Sequence, residues 1–200
     1  MNIAIIKYNA GNIRSVSFAL ERLGYKPIIT GDHDTIRKAD KVIFPGVGEA
    51  STTMAFLKQN GLHELIPSLT QPVLGICLGL QLMCKYSEEG DTECLGIFNA
   101  PVKKFIPLKD VSPKQKIPHM GWNNLTHVKS PLFNPELEGE FVYFVHSYYV
   151  PTGAETIAQA NYIHPFSAAL QKDNFFATQF HPEKSGSVGE QILKNFLSLK

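Results

Sequence analysis

Between Val73 and Gln81 the chain makes one passage that limits what the whole can become. Val73-Leu74-Gly75-Ile76 is a short apolar run that reads as a buried strand, and Leu78, Leu82 and Tyr86 then recur at helical spacing. Cys77 stands at the junction, between Gly75 and Gly79. A sharp strand-to-helix turn holds its central residue in a strained conformation and needs glycines where neighbouring backbone passes close. The first N–H groups of the following helix point at the sulfur and favour its thiolate. On this stretch alone, a nucleophile and an ordinary buried thiol are equally good readings.

The same alternation runs through the first half of the chain. Ile3 to Lys7, Pro27 to Thr30, Lys41 to Phe44 and Pro72 to Ile76 are expected strands. Between them lie expected helices from Ile13 to Leu23, closed by Gly24; up to Ala39, capped by Asp34; through Lys58, capped by Ser51; and near Leu62 to Leu69. The helix after Cys77 is expected to run to Tyr86. Strands alternating with helices imply βαβ units and a parallel sheet. Sites in such sheets gather at the C-terminal ends of strands, where residues 8–12, residues 45–48 and Cys77 fall.

Beyond Tyr86 the pattern changes. Ser87 to Glu93 reads as a polar surface loop, Val102 to Ile106 as a strand, and Lys109 to Lys116 as a mobile polar segment. Pro118 to Asn123 reads as a loop and holds the only tryptophan, Trp122. Phe141 to Val145 is a strong strand. Thr156 to Ala160, Ser167 to Gln171 and Phe175 to Thr178 read as an antiparallel set, and Val188 to Leu199 as an amphipathic helix. The expected fold is α/β: a central mostly parallel sheet with helices on both faces, plus a C-terminal antiparallel strand set. No repeat or linker divides residues 1–200, so one domain is expected.

Composition removes several classes of function. With 44% hydrophobic and 18% charged residues the chain can bury a sizeable core. The net charge of +1 comes from scattered basic residues, which gives no nucleic-acid surface. No apolar run approaches a membrane span, and the start goes straight into a strand rather than a signal peptide. Three cysteines, Cys77, Cys84 and Cys94, are too few and odd in number for a disulfide framework, so a reducing, cytoplasmic compartment is expected.

A cysteine nucleophile needs a base, and the base needs an orienting group. His181-Pro182-Glu183 offers both: Pro182 keeps His181 extended, and residues two apart in an extended segment point the same way. Gly46-Val47-Gly48 and the N–H of Leu78 are candidate oxyanion donors, though the glycines also suit a simple tight turn. Gln81, one turn past Cys77, can touch a polar substrate or be merely solvated. His119 and His146 are placed to line a site, but no metal-ligand spacing links them, and no metal or cofactor is expected.

Gly75-Ile76-Cys77-Leu78-Gly79-Leu80-Gln81 with His181-Pro182-Glu183 resembles the class I glutamine amidotransferase domains. A narrower resemblance is to the glutaminase subunits of imidazole glycerol phosphate synthase. It is carried by Gly11-Asn12, Pro45-Gly46-Val47-Gly48, Pro118-His119-Met120-Gly121-Trp122-Asn123, the run Tyr143 to Tyr149 and the run Gln179 to Gly186. The chain departs at Asn9, where glycine is usual, and at Ala50, where an aromatic is frequent. The resemblance implies that Cys77 attacks L-glutamine and that His181, oriented by Glu183, moves the proton. It implies an oxyanion strand at Val47 and Gly48 after a peptide reorientation, with Leu78 as second donor. Gly46, Gln81, Ser147 and Tyr148 would hold the substrate. Ammonia would pass to a HisF cyclase partner met through Asn12, Trp122 and Lys184. The alternatives are the glutaminase of another amidotransferase, a free-standing cysteine γ-glutamyl hydrolase, and a binding subunit without catalysis.

Overall fold

The computed structural model describes residues 1–8, 13–108 and 115–200. The expected features at Asn9, Gly11 and Asn12 lie outside the described residues, as does most of the polar segment after Leu108. In chain order the strands are β1 (Ile3–Ile6), β2 (Ile28–Thr30), β3 (Lys41–Gly46), β4 (Val73–Cys77), β5 (Tyr86–Ser87), β6 (Thr92–Glu93), β7 (Pro101–Lys104), β8 (His119–Asn124), β9 (Phe141–His146), β10 (Tyr148–Tyr149), β11 (Thr156–Asn161), β12 (Pro165–Lys172) and β13 (Phe175–Thr178). The α-helices are α1 (Ile13–Arg22), α2 (His33–Lys38), α3 (Ala50–Gln59), α4 (Leu62–Leu65), α5 (Leu78–Met83) and α6 (Gly186–Ser198).

A seven-stranded sheet runs in the order β11-β12-β13-β4-β3-β1-β2. From β2 across to β13 every pairing is parallel, and β12 and β11 then continue the same sheet antiparallel. The C-terminal antiparallel set is therefore an extension of the central sheet and not a separate one. Its central strands are buried throughout and mostly apolar because both faces are covered. Alternation along β1 shows this: Ile3 and Ile5 pack with Val16 and Leu20 of α1 and Phe196 of α6, while Ala4 and Ile6 pack with Met54 and Leu57 of α3 and Leu80 of α5. Two smaller sheets, β10-β7-β5-β6 and the hairpin β8-β9, lie beside the main one.

Three helix ends and one strand correct local expectations. The α2 cap is Asp32 rather than Asp34: its Oδ2 accepts from Thr35 N at 2.8 Å. Ser51 does not cap α3; Glu89 reaches in from the β5–β6 turn and accepts from Ala50 N at 2.8 Å. The helix after Cys77 stops at Met83, because Tyr86 pairs with Glu93 in a short hairpin where a loop was expected. The tryptophan segment is strand β8, not a loop, with Trp122 opposite Tyr143 in register. Gly24 does close α1, at φ +86°, with Tyr25 N donating to Leu20 O at 3.0 Å.

Candidate active site

Three parallel strands deliver the site from their C-terminal ends. Cys77 ends β4 in register with Gly46 at the end of β3, and β13 on the other side leads through Gln179 and Phe180 to His181. Cys77 has φ +54° and ψ −107°, a conformation that L residues rarely adopt. The surrounding glycines make it feasible. A Cβ on Gly46 would collide with Leu78 and Gly79, and one on Gly79 with the Phe44 carbonyl. The strand-to-helix turn is thus packed directly on β3, and Leu78 opens α5, where main-chain N–H groups lack intrahelical acceptors.

A cleft of about 350 Å3 opens over the sulfur. Val47, Gly48, Cys77, Leu78, Gln81, Ser147, Tyr148 and His181 all line it. Gly46 packs against Leu78 and Gly79, and Glu183 stands behind the imidazole, with its Oε1 2.8 Å from His181 Nδ1. Burial by itself would lower the His181 pKa. The charge of Cys77, a hydrogen bond with it, and the hydrogen bond to Glu183 outweigh burial and raise it to about 10. The arrangement thus favours a protonated imidazole, in which Nδ1–H donates to the carboxylate and the other ring nitrogen serves the sulfur.

The loop carrying these groups is tied down from two directions. His181 N donates to Tyr143 O of β9 at 2.9 Å, and Tyr143 N donates to Ser185 Oγ at 3.0 Å. Ser185 Oγ in turn donates to His181 O at 2.7 Å. α6 follows at once, with Gly189 set against the Pro182 carbonyl so closely that no Cβ would fit.

Three side chains at or beside the cleft, those of Gln179, Glu89 and Tyr8, have no role in the sequence expectations. Gln179 is fully buried and places its Nε2 3.8 Å from the Cys77 sulfur. Glu89 is half-buried on the cleft wall, and burial raises its pKa. Tyr8 donates from beneath to the Pro45 carbonyl, just before the glycine loop, and burial holds its phenol well above its ordinary pKa. His146 lines the cleft as expected and pairs with His119 at 3.0 Å. Gln179 lay within the resemblance motif, but nothing in that motif marks it as a neighbour of the sulfur.

Gln81 is buried rather than solvated, at 4% exposure, and donates to Tyr148 O and to Gln179 Oε1, each at 3.1 Å. Trp122 is 55% exposed on β8 and meets the Tyr143 ring edge-on, so it is a surface residue. Lys184 is exposed on the turn after His181. Among the described residues, no group of three or more His, Cys, Asp and Glu is arranged to hold a metal ion, and no helix is long and apolar enough to cross a membrane.

A two-faced sheet with a cysteine strained between strand and helix is the architecture of the class I glutamine amidotransferases, and residues 5–199 match the family model described as Glutamine amidotransferase class-I. A solved structure described as a glutamine amidotransferase superposes with a TM-score of 0.73 at 17% identity, covering 97% of this chain and 96% of that one; this likeness concerns the fold. Imidazole glycerol phosphate synthase subunit HisH of Bacteroides fragilis (strain YCH46) is 62% identical over 199 residues, 100% of both chains. The subunit of the same name from Yersinia pseudotuberculosis is 48% identical over 201 residues, again 100% of both. The chain belongs to the HisH subunits of imidazole glycerol phosphate synthase, a family of glutamine amidotransferase enzymes.

Proposed function

We propose that the chain hydrolyses L-glutamine through a thioester on Cys77 and hands the ammonia to a HisF cyclase subunit. The Cys77 thiolate adds to the side-chain carboxamide carbon. The C–N bond breaks as His181 gives its proton to the leaving nitrogen, so ammonia departs and a glutamyl thioester remains. Water then adds to the thioester with His181 taking its proton, and glutamate leaves as the sulfur regains its electron pair. Glu183 keeps the ring in the tautomer that serves the sulfur.

In this reading Val47, Gly48 and Leu78 carry the donors for the oxyanion. Gly46 lets the oxyanion loop lie against the turn. Gln81, Ser147 and Tyr148 hold the amino-acid end of the substrate, and the Glu89 carboxylate on the cleft wall suits its α-ammonium group. Ammonia would then serve the cyclase in forming imidazole glycerol phosphate and aminoimidazole carboxamide ribotide, a step of L-histidine biosynthesis in the cytoplasm. Residues 1–200 act as one amidotransferase domain, with the face around Trp122 and Lys184 toward the cyclase.

The observation that carries the reading is the gathering of Cys77, His181 and Glu183 at one cleft, in a chain whose relatives at 62% and 48% identity are named as this synthase's subunit. The test is co-purification with HisF, followed by a glutaminase assay with and without the cyclase's ribotide. Glutamate release that rises on adding partner and ribotide supports it. Full activity of the chain alone, indifferent to both, favours a free-standing γ-glutamyl hydrolase.

A further inference from the structure

The main-chain carbonyl oxygen of Tyr148 takes two hydrogen bonds, from His146 Nδ1 at 2.7 Å and from Gln81 Nε2 at 3.1 Å. A carbonyl only accepts, so it sets the direction of everything bonded beyond it. On one arm, His146 carries its proton on Nδ1, which leaves its Nε2 as an acceptor. His119 Nδ1, 3.0 Å from that nitrogen, is then the donor. The second nitrogen of His119 accepts in turn, and the amide nitrogen of Asn123 stands 3.4 Å from it. Both imidazoles are neutral and both are protonated on Nδ1.

On the other arm, the Gln81 nitrogen that donates to Tyr148 also donates to Gln179 Oε1 at 3.1 Å. With its oxygen committed there, Gln179 turns its own amide nitrogen to the Cys77 sulfur at 3.8 Å. One backbone carbonyl thus dictates the orientation of four side chains, the last of which touches the nucleophile.

We propose that this chain positions the nucleophile: the neutral His119–His146 pair holds the Tyr148 carbonyl, which orients Gln81 and Gln179 so that an amide N–H stays on the Cys77 sulfur. Gln179, His146 and His119 are on this view positioning residues. Its purpose rests on the glutaminase reading; its geometry does not. A buried sulfur anion is favoured by every donor aimed at it. The titratable groups facing the sulfur are His181 with Glu183 behind it, Tyr8 beneath, and His146 and Glu89 on the cleft wall. His181 supplies the positive charge. A second imidazolium would repel it, and the fold prevents one: burial, against the opposing hydrogen bond to Tyr148 and with help from the neighbouring imidazoles, lowers His146 to about 3, and burial lowers His119 to about 4. His119 stacks on both Phe144 and Tyr162, which holds its ring in the orientation the chain needs.

The test is alkylation of Cys77 by iodoacetamide as a function of pH in the full chain, read on the Cys77 peptide by mass spectrometry, with Cys77→Ser as blank. Gln179→Leu and His146→Phe are expected to raise the apparent thiol midpoint by about one unit, which slows alkylation about tenfold below it. His146→Asn, whose amide N–H stands where the imidazole Nδ1–H stood, is expected to return the midpoint toward the native value. A native profile in a folded Gln179→Leu variant overturns the proposal. If both variants fail to fold, nitrogen-resolved histidine NMR of the native chain decides. Neutral, Nδ1-protonated His119 and His146 at pH 7 support the chain, and an Nε2-protonated ring at either position breaks it. Alkylation needs neither glutamine nor a partner, so a failure of glutamine hydrolysis would remove the glutaminase reading and leave this result standing.

Discussion

His181 Nδ1 lies 2.8 Å from Glu183 Oε1, and both side chains are buried, the ring on the cleft wall and the carboxylate behind it. The two are separated only by Pro182, so the loop between β13 and α6 carries base and orienter as a unit. Glu183→Gln keeps the shape but removes the charge that favours the imidazolium. We expect glutamine turnover in the complex to fall about 100-fold or more, with KM for glutamine little changed. Steady-state glutamate release measures it; an unchanged kcat would show that Glu183 does not serve the ring.

The buried pair His119 and His146 gives the fold a pH dependence of known sign. Both folded pKa values are depressed, to about 4 and about 3, by burial first. The unfolded chain therefore binds protons below the ordinary imidazole value that the folded chain refuses. Stability is whole above about pH 6.5 and falls as pH drops toward those folded values, by about 2 kcal/mol for each imidazole between pH 7 and pH 5. Urea unfolding at the two pH values checks this. His119→Phe, which keeps the stack on Phe144 and Tyr162, should show a shallower loss; an equal loss would place the acid sensitivity elsewhere.

Gly79 sits under the carbonyl of Phe44 with no space for a Cβ. Gly79→Ala must push α5 off β3, which moves Leu78 and strains Cys77. We expect about 2–4 kcal/mol of destabilisation, as for other overpacked buried positions. Gly153→Ala, where a Cβ meets nothing and φ is not positive, is the control that should stay near neutral. Thermal unfolding of the two variants separates a packing effect from a general intolerance of glycine replacement.

Much of this architecture was legible in the chain. Strands buried on both faces have no polar alternation, so β1, β3 and β4 stand out as continuous apolar runs. The cysteine turn announced itself through Gly75 and Gly79, and His181 with Glu183 through the extended spacing that Pro182 enforces. What escaped was set by contacts distant in sequence. The α3 cap comes from Glu89, 39 positions from Ala50, so Ser51 looked the better candidate. Pro118 just precedes β8 and Gly121 lies within it, turn-forming residues that hide a strand whose partner lies on β9. Gln179 carries no local mark at all, because its meaning is its distance to a sulfur 102 positions away.

Trp122 and Met120 project from β8 at 55% and 63% exposure, on a strand whose His119 end adjoins the cleft wall. An exposed aromatic of this kind is a strong anchor when a partner covers it. Trp122→Ala is expected to weaken binding to HisF by about 2 kcal/mol, roughly thirtyfold in Kd, and to leave thermal unfolding of the free chain nearly unchanged. Titration calorimetry gives the first quantity. Undiminished affinity would move the contact face away from β8.

The central claim is that the Cys77 sulfur opens the amide bond of glutamine, and Cys77→Ala in the complex with HisF tests it most directly. Synthesis should be lost with glutamine as nitrogen donor and retained with ammonium salt, because the cyclase's own chemistry is untouched. Continued glutamine-dependent turnover in that variant would contradict the account.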